Sequence, residues 1–217
     1  VLRDCGALAR LLPELERLFG VPQPAEPHPE IDTGVHVLMV LEQAARLSDD
    51  PQVRFAALLH DLGKGVTPPD EWPSHHGHEA RSVELVTALC ARLKVPVAYR
   101  DLALAVARDH GNAHRALELR PGTLLDVIER TDALRRPQRF AQFLLACEAD
   151  HRGRTGFEDR PYPQAARLQL AFDAARGVDV APLVDAGFKG EAMRNALREA
   201  RARAIAAAVG DAPGGDA

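Results

Sequence analysis

Aromatic residues are scarce in this sequence of 217 residues, at 5%, and no segment alternates apolar with polar side chains long enough to read as a strand. That excludes a sandwich or barrel. Ala, Leu, Val and Arg recur at helical spacing instead, so the expectation is an all-α fold. Cysteine is scarce as well: Cys5, Cys90 and Cys147 are odd in number and far apart inside helical patterns, which excludes a disulfide framework and a thiolate metal site. No apolar run reaches the roughly 18 residues of a membrane span, and no charged segment followed by an apolar one marks a signal peptide. The expected location is the cytoplasm. Lysine occurs only 3 times, and a net charge of −4 argues against holding nucleic acid by bulk attraction. The 24 arginines (27 Lys+Arg less 3 Lys) supply planar forks suited to phosphate, although a compositional bias of the source genome accounts for them equally well. Position 1 is Val rather than Met, so a trimmed chain or the C-terminal part of a longer one is expected.

With 46% hydrophobic residues the chain can bury one sizeable core, or at most two small ones. The pattern over 5–18 reads as helix interrupted at Pro13, and the four prolines of 21–29 make an extended connection. Asp32 or Thr33 caps a helix to about Leu47, with Val35, Leu38, Met39 and Val40 as its inward stripe and His36 at the border of that stripe. Asp50 and Pro51 open the next helix, whose face of Val53, Ala56, Ala57 and Leu58 leads to His60 and Asp61 before Gly63 ends it. Adjacent helical positions differ by about 100°, so His60 and Asp61 are expected to border one site without pointing the same way. A histidine-rich loop follows, then helices over 78–93, 96–109, 121–132, 137–150, 163–177 and 191–208. The resulting division is an N-terminal helix and Pro-rich connection (1–30), a core (31–150), a helical extension (151–208) and a disordered tail (209–217).

Nine histidines would mean little by number; their arrangement matters. His36 lies in one amphipathic helix, the His60-Asp61 pair ends the next, and Asp132 ends a later one. Imidazole and carboxylate donors from separate helices are what a divalent ion that activates water requires. This order, with the longer string His60-Asp-Leu-Gly-Lys64, resembles the HD-domain metal-dependent phosphohydrolases. Further strings narrow the resemblance: His28-Pro-Glu-Ile-Asp-Thr-Gly-Val-His36, His75-His-Gly-His78, Asp132-Ala-Leu-Arg-Arg-Pro-Gln-Arg139, Glu148-Ala-Asp-His-Arg-Gly-Arg-Thr-Gly-Phe157 and Gly187-Phe-Lys-Gly190. Together they look like the C-terminal HD region of bacterial multifunctional CCA proteins.

That resemblance implies an HD helical bundle with additional C-terminal helices. It implies hydrolysis of 2',3'-cyclic nucleotides, 2'-nucleotides and phosphomonoesters with a divalent ion, Ni, Mn or Co before Mg, linked to tRNA. It implies a metal held by His36, His60, Asp61 and Asp132, with Asp61 also orienting the nucleophile. Lys64 is expected near phosphate, the alternative being a solvated lysine at a helix C-terminus. His78 and His110 either bind a second ion or act as catalytic groups toward the leaving oxygen. Arg135, Arg136, Arg139, Arg152 and Arg154 are the candidate phosphate clamps. His75, His76, His114 and His151 read as loop or surface residues, and His28 stays open. The Gly-Ser motif and paired carboxylates of the nucleotidyltransferase head have no counterpart, so nucleotide addition is excluded for this chain alone; such a head is an expected partner. Two other readings remain: a tRNA-binding body without hydrolysis, and an HD nucleotidase for other nucleotides.

Overall fold

In the computed structural model, which describes residues 1–210, Pro13 splits the first helical pattern into α1 (Ala7–Leu11) and α2 (Pro13–Glu16). Lacking an N–H, it takes the first position of α2, where no intrahelical donor is needed. The proline-rich connection then runs extended, with a single bridge between Pro22 and Asp32. Asp32 starts α3 (Thr33–Leu47) by accepting the Val35 N–H, and Asp50 starts α4 (Pro51–Leu59) by accepting that of Gln52. After a short 3-10 turn at Leu62–Val66 come α5 (His78–Arg92), α6 (Val97–His114), α7 (Pro121–Arg130), α8 (Pro137–Arg152), α9 (Pro163–Arg176), α10 (Ala181–Asp185) and α11 (Gly190–Val209). The described residues contain no strand, and the fold is all-α as the composition requires.

Two compact units emerge. One is Val1–Gly111 with Ala141–Pro161; the other is Asn112–Phe140 with the chain from Tyr162 onward. Both are discontinuous because α6 and α8 each contribute residues to both, whereas the sequence divisions at 30, 150 and 208 follow chain order. Of the expected tail, 211–217 lie outside the described residues.

In the first unit the inward face of α3 differs in phase from the sequence expectation. Thr33, His36, Val37, Val40 and Ala44 are buried, while Val35 and Leu38 face outward at 42% and 48% exposure. His36 therefore stands on the buried face, not at its border. The hydrophobic residues of α3 outnumber the positions its neighbours cover, so composition alone cannot choose the phase. On α4 the buried set is Val53, Ala56, Ala57 and Leu59, with Leu59 in the place expected of Leu58. Val40, Ala44, Ala57 and Ala149 form one cluster, and their small side chains let α3, α4 and α8 approach closely. Gly153 carries this further: a Cβ there would stand 2.7 Å from the backbone nitrogen of Val40. The second unit is built on Leu124, Leu125 and Ile128 of α7, Leu168 and Phe172 of α9 and Ile205 of α11.

Candidate metal centre

α4 ends at Leu59, and the turn that follows makes His60 and Asp61 converge. His60 keeps helical dihedrals, but Asp61 leaves them at φ −107°, ψ 14° and opens the 3-10 turn. The result brings His60 Nε2 to 3.2 Å from Asp61 Oδ2, closer than two neighbours on a regular helix allow. Gly63 serves this turn differently from a helix stop. Its Cβ would lie 2.1 Å from the His78 carbonyl oxygen and 2.6 Å from the Ser82 nitrogen, so glycine is required by the approach of α5. The Gly63 N–H donates to Ser82 Oγ, and this contact sets the first residue of α5, His78, over Asp61.

Three histidines repeat one arrangement. Nδ1 of His60 lies 2.7 Å from the Ala57 carbonyl, that of His78 3.1 Å from the His75 carbonyl, and that of His110 3.0 Å from the Val106 carbonyl. A carbonyl can only accept, so each Nδ1 carries a proton and each ring turns its Nε2 inward. All three Nε2 atoms converge on Asp61: His78 Nε2 is 3.3 Å and His110 Nε2 3.5 Å from Oδ1, and the two nitrogens stand 3.4 Å apart. Nitrogen lone pairs facing one another and a carboxylate repel unless a proton or a metal ion lies among them. His36 adds a fourth ring on the other side of His60, its Nε2 3.1 Å from Asp150 Oδ1, which also lies 3.6 Å from His60 Nε2.

Electrostatics express the same demand for positive charge. Burial alone would lower the His60 pKa, but the charges of Asp61 and Asp150 outweigh it and hold it up at about 9. Burial would raise the Asp61 carboxyl, yet His60 and Lys64 keep it well below the usual carboxylate range. In the metal-free protein, a proton on His60 thus stands in for a cation. His60 Nε2 and Asp61 Oδ1 are buried and make no well-directed hydrogen bond among the described residues. HD domains bind divalent metals, and three donor groups among the described residues fit one: His28, Glu30 and His36; His36, His60 and Asp150; and Asp61, His78 and His110.

Asp132 is in none of these groups. It belongs to the second unit, in the turn after α7 with φ 56°, and its carboxylate faces Arg136 at 3.4 Å and Arg135 and Arg139 at 3.9 Å. The acidic residue on His36 is Asp150 of α8, buried at 3% exposure and carried to α3 by the small contacts at Ala149 and Gly153. A signal existed in the sequence: Ala146, Ala149, Asp150 and Gly153 share one face of α8, and a carboxylate on a small-residue inward face needs a buried partner. Glu30 and Gln23 offered no such signal, because they sit in the extended connection where no periodicity applies.

Lys64 is buried, its Nζ 2.7 Å from both Asp61 Oδ2 and Gln23 Oε1, rather than solvated. Of the candidate clamps, Arg135, Arg136 and Arg139 gather around Asp132, Arg152 pairs with Glu148 at 2.6 Å, and Arg154 follows α8 near His28. His75 is buried and donates to the Pro22 carbonyl. His114 pairs with Tyr162 in the second unit, and His28 is a buried partner of Glu30, its pKa lowered by burial to about 4.

The HD domain family matches residues 33–140, from α3 into α8. Three similar proteins are each named multifunctional CCA protein: one from Thioalkalivibrio sulfidiphilus, 65% identical over 94% of this chain and 50% of its own length; one from Nitrosococcus oceani, 63% identical over 96% and 52%; and one from Janthinobacterium sp., 58% identical over 99% and 53%. The chain thus spans about half the length of these curated relatives. No solved structure matches it. A helical frame that brings together His36, His60 and Asp61 within the matched residues, and likeness along almost the whole chain to multifunctional CCA proteins, place this protein in the HD-domain family.

Proposed function

We propose that the chain is a metal-dependent phosphohydrolase acting on 2',3'-cyclic nucleotides, 2'-nucleotides and phosphomonoesters, linked to tRNA 3'-end processing in the cytoplasm. The observation that carries this reading is the convergence of the His60, His78 and His110 Nε2 atoms on the single carboxylate of Asp61. His36, His60, Asp61 and Asp150 would hold the ion, Asp150 taking the place expected of Asp132. A divalent Ni, Mn or Co ion there would supply a Lewis acid that lowers the pKa of water and offsets charge on a phosphoryl oxygen.

The protein's own groups divide the remaining work. Asp61 orients the attacking water through Oδ1. Of the histidines around it, His110 and His78 are the more open, at 6% and 16% side-chain exposure; with Nδ1 held by a carbonyl, Nε2 is the atom that takes up a proton and then hands it to the leaving oxygen. If a second ion binds, Asp61, His78 and His110 hold it. Lys64 keeps Asp61 ionised and places its charge beside the phosphate. Arg154 and Arg152, at the end of α8, are the clamps in the same unit as the centre; Arg135, Arg136 and Arg139 answer to RNA phosphates on the second unit. The partners are a tRNA and a nucleotidyltransferase head, on the same polypeptide or a separate one. No helix among the described residues is long and apolar enough to cross a membrane.

The test is hydrolysis of 2',3'-cyclic AMP by metal-stripped protein with Ni, Mn, Co, Mg and Zn restored in turn. Turnover returning with at least one transition ion, and lost in Asp61→Ala with the fold intact by circular dichroism, is expected. No turnover with any ion, or turnover in Asp61→Ala within a few fold of wild type, refutes the reading.

A further inference from the structure

Behind His36 lies a carboxylate, that of Glu30, which the reaction above does not use. Glu30 Oε1 stands 2.9 Å from His36 Nδ1 and 3.2 Å from His28 Nδ1, and its other oxygen accepts the Thr155 N–H at 3.2 Å. The Glu30 side chain is only 2% exposed although it comes from a connecting segment. Its inward course has a visible cause: Ile31, the next residue, has φ 60°. A β-branched residue is a rare occupant of the left-handed region, and such conformations persist where the surroundings impose them. Asp32 then turns the chain into α3, and Gln23 N–H to Ile31 C=O closes the loop beneath it.

The four histidines of the centre differ in what holds their outer nitrogen. His60, His78 and His110 each donate to a neutral backbone carbonyl of their own segment. His36 Nδ1 has the Glu30 carboxylate, with a side chain only 2% exposed, 2.9 Å away in a close contact that is not a well-directed hydrogen bond, its Nε2 being bonded to Asp150; His78 Nδ1 has the more open Glu79 carboxylate at 3.4 Å. A carboxylate behind an imidazole fixes the proton on Nδ1, leaves Nε2 as the ligand atom and makes the ring a stronger donor.

Building on the metal-centre reading, we propose that Glu30 is the positioning residue of that centre. It sets the tautomer and orientation of His36, and through Thr155, three residues past the end of α8, it ties His36 to the helix that carries Asp150. His28 is the brace that keeps Glu30 from turning out to solvent. Glu30 itself touches neither ion nor substrate.

The test uses the whole chain and Co²⁺ alone as probe. Metal-stripped wild type, Glu30→Gln and His28→Gln are titrated with Co²⁺ against a chromophoric chelator, with the cobalt absorption spectrum and thermal melting recorded beside each. Glu30→Gln keeps the shape and loses the charge, so a 10–100-fold weaker affinity with an altered cobalt spectrum is expected; His28→Gln should weaken binding less. A purely structural role for Glu30 would lower the melting temperature and leave affinity and spectrum unchanged, which overturns the proposal. Long-range ¹H–¹⁵N spectra of Zn-loaded wild type supply a second measurement that needs no variant of Glu30. His36 protonated on Nδ1 and coordinated through Nε2 supports the role, and coordination through Nδ1 overturns it. Should wild type bind no cobalt, the metal centre and the Glu30 role fall together; should it bind while Glu30→Gln binds within twofold, the Glu30 role alone falls.

Discussion

Asp150→Asn and Asp132→Asn, compared side by side, decide which acidic residue completes the centre. Asp150 is buried and its Oδ1 is shared between His36 and His60, whereas Asp132 is 31% exposed in a turn among arginines. Asn keeps the shape of Asp and removes one negative charge, so folding is expected to survive both changes. At about 4 Å and an effective dielectric of about 20, one pair of unit charges is worth about 4 kcal/mol. At about 1.4 kcal/mol per decade that corresponds to nearly a thousandfold in affinity. The amide oxygen that remains recovers part of this, so Asp150→Asn should bind Mn²⁺ or Co²⁺ about 100–1000-fold more weakly. Asp132→Asn should stay within about twofold. Competition against a chelator, with circular dichroism to confirm the fold, reads both values. If Asp132→Asn loses the metal while Asp150→Asn keeps it, the geometric assignment of Asp150 is wrong.

Two further expectations rest on the same geometry. In the metal-free protein the His60 pKa is raised to about 9, above its unfolded value, so this group's stabilising contribution is complete below about pH 6.5 and is lost as pH rises through about 9. Metal must displace that proton; apparent metal affinity should therefore rise about tenfold per pH unit between pH 7 and 9 and then level off, with about one proton released per ion near pH 7.5. Calorimetry in buffers of different ionisation enthalpy measures the release, and an affinity flat over pH 7–9 contradicts it. Gly63→Ala places a Cβ at 2.1 Å from the His78 carbonyl oxygen. The backbone of α5 must then shift, at a cost of about 1–3 kcal/mol, and His78 moves off Asp61; urea denaturation and metal titration should both show the loss, and an unchanged midpoint with unchanged affinity would sink the packing argument.

Local chemistry made much of this protein legible in one dimension. The caps at Asp32 and Asp50, the break at Pro13 and the helix starts at Pro137 and Pro163 depend on neighbours in the chain, and the structure has them there. The all-α class follows from periodicity, and the string of residues 60–64 by itself carries the likeness to the HD domain. What sequence could not decide were relations between segments. Which face of α3 turns inward depends on α4 and α8, so His36 was set at an edge when it lies in the core. Gly63 read as a helix stop, yet α5 is the reason for it. Asp132 is the acidic residue that the order of helix ends singles out, whereas the close approach of α8 to α3 at Gly153 puts Asp150 on His36. Glu30 and Gln23 sit in a connection with no period to read, and they gain their roles from tertiary burial alone, because an isolated carboxylate or amide has no preferred partner until the fold removes it from water.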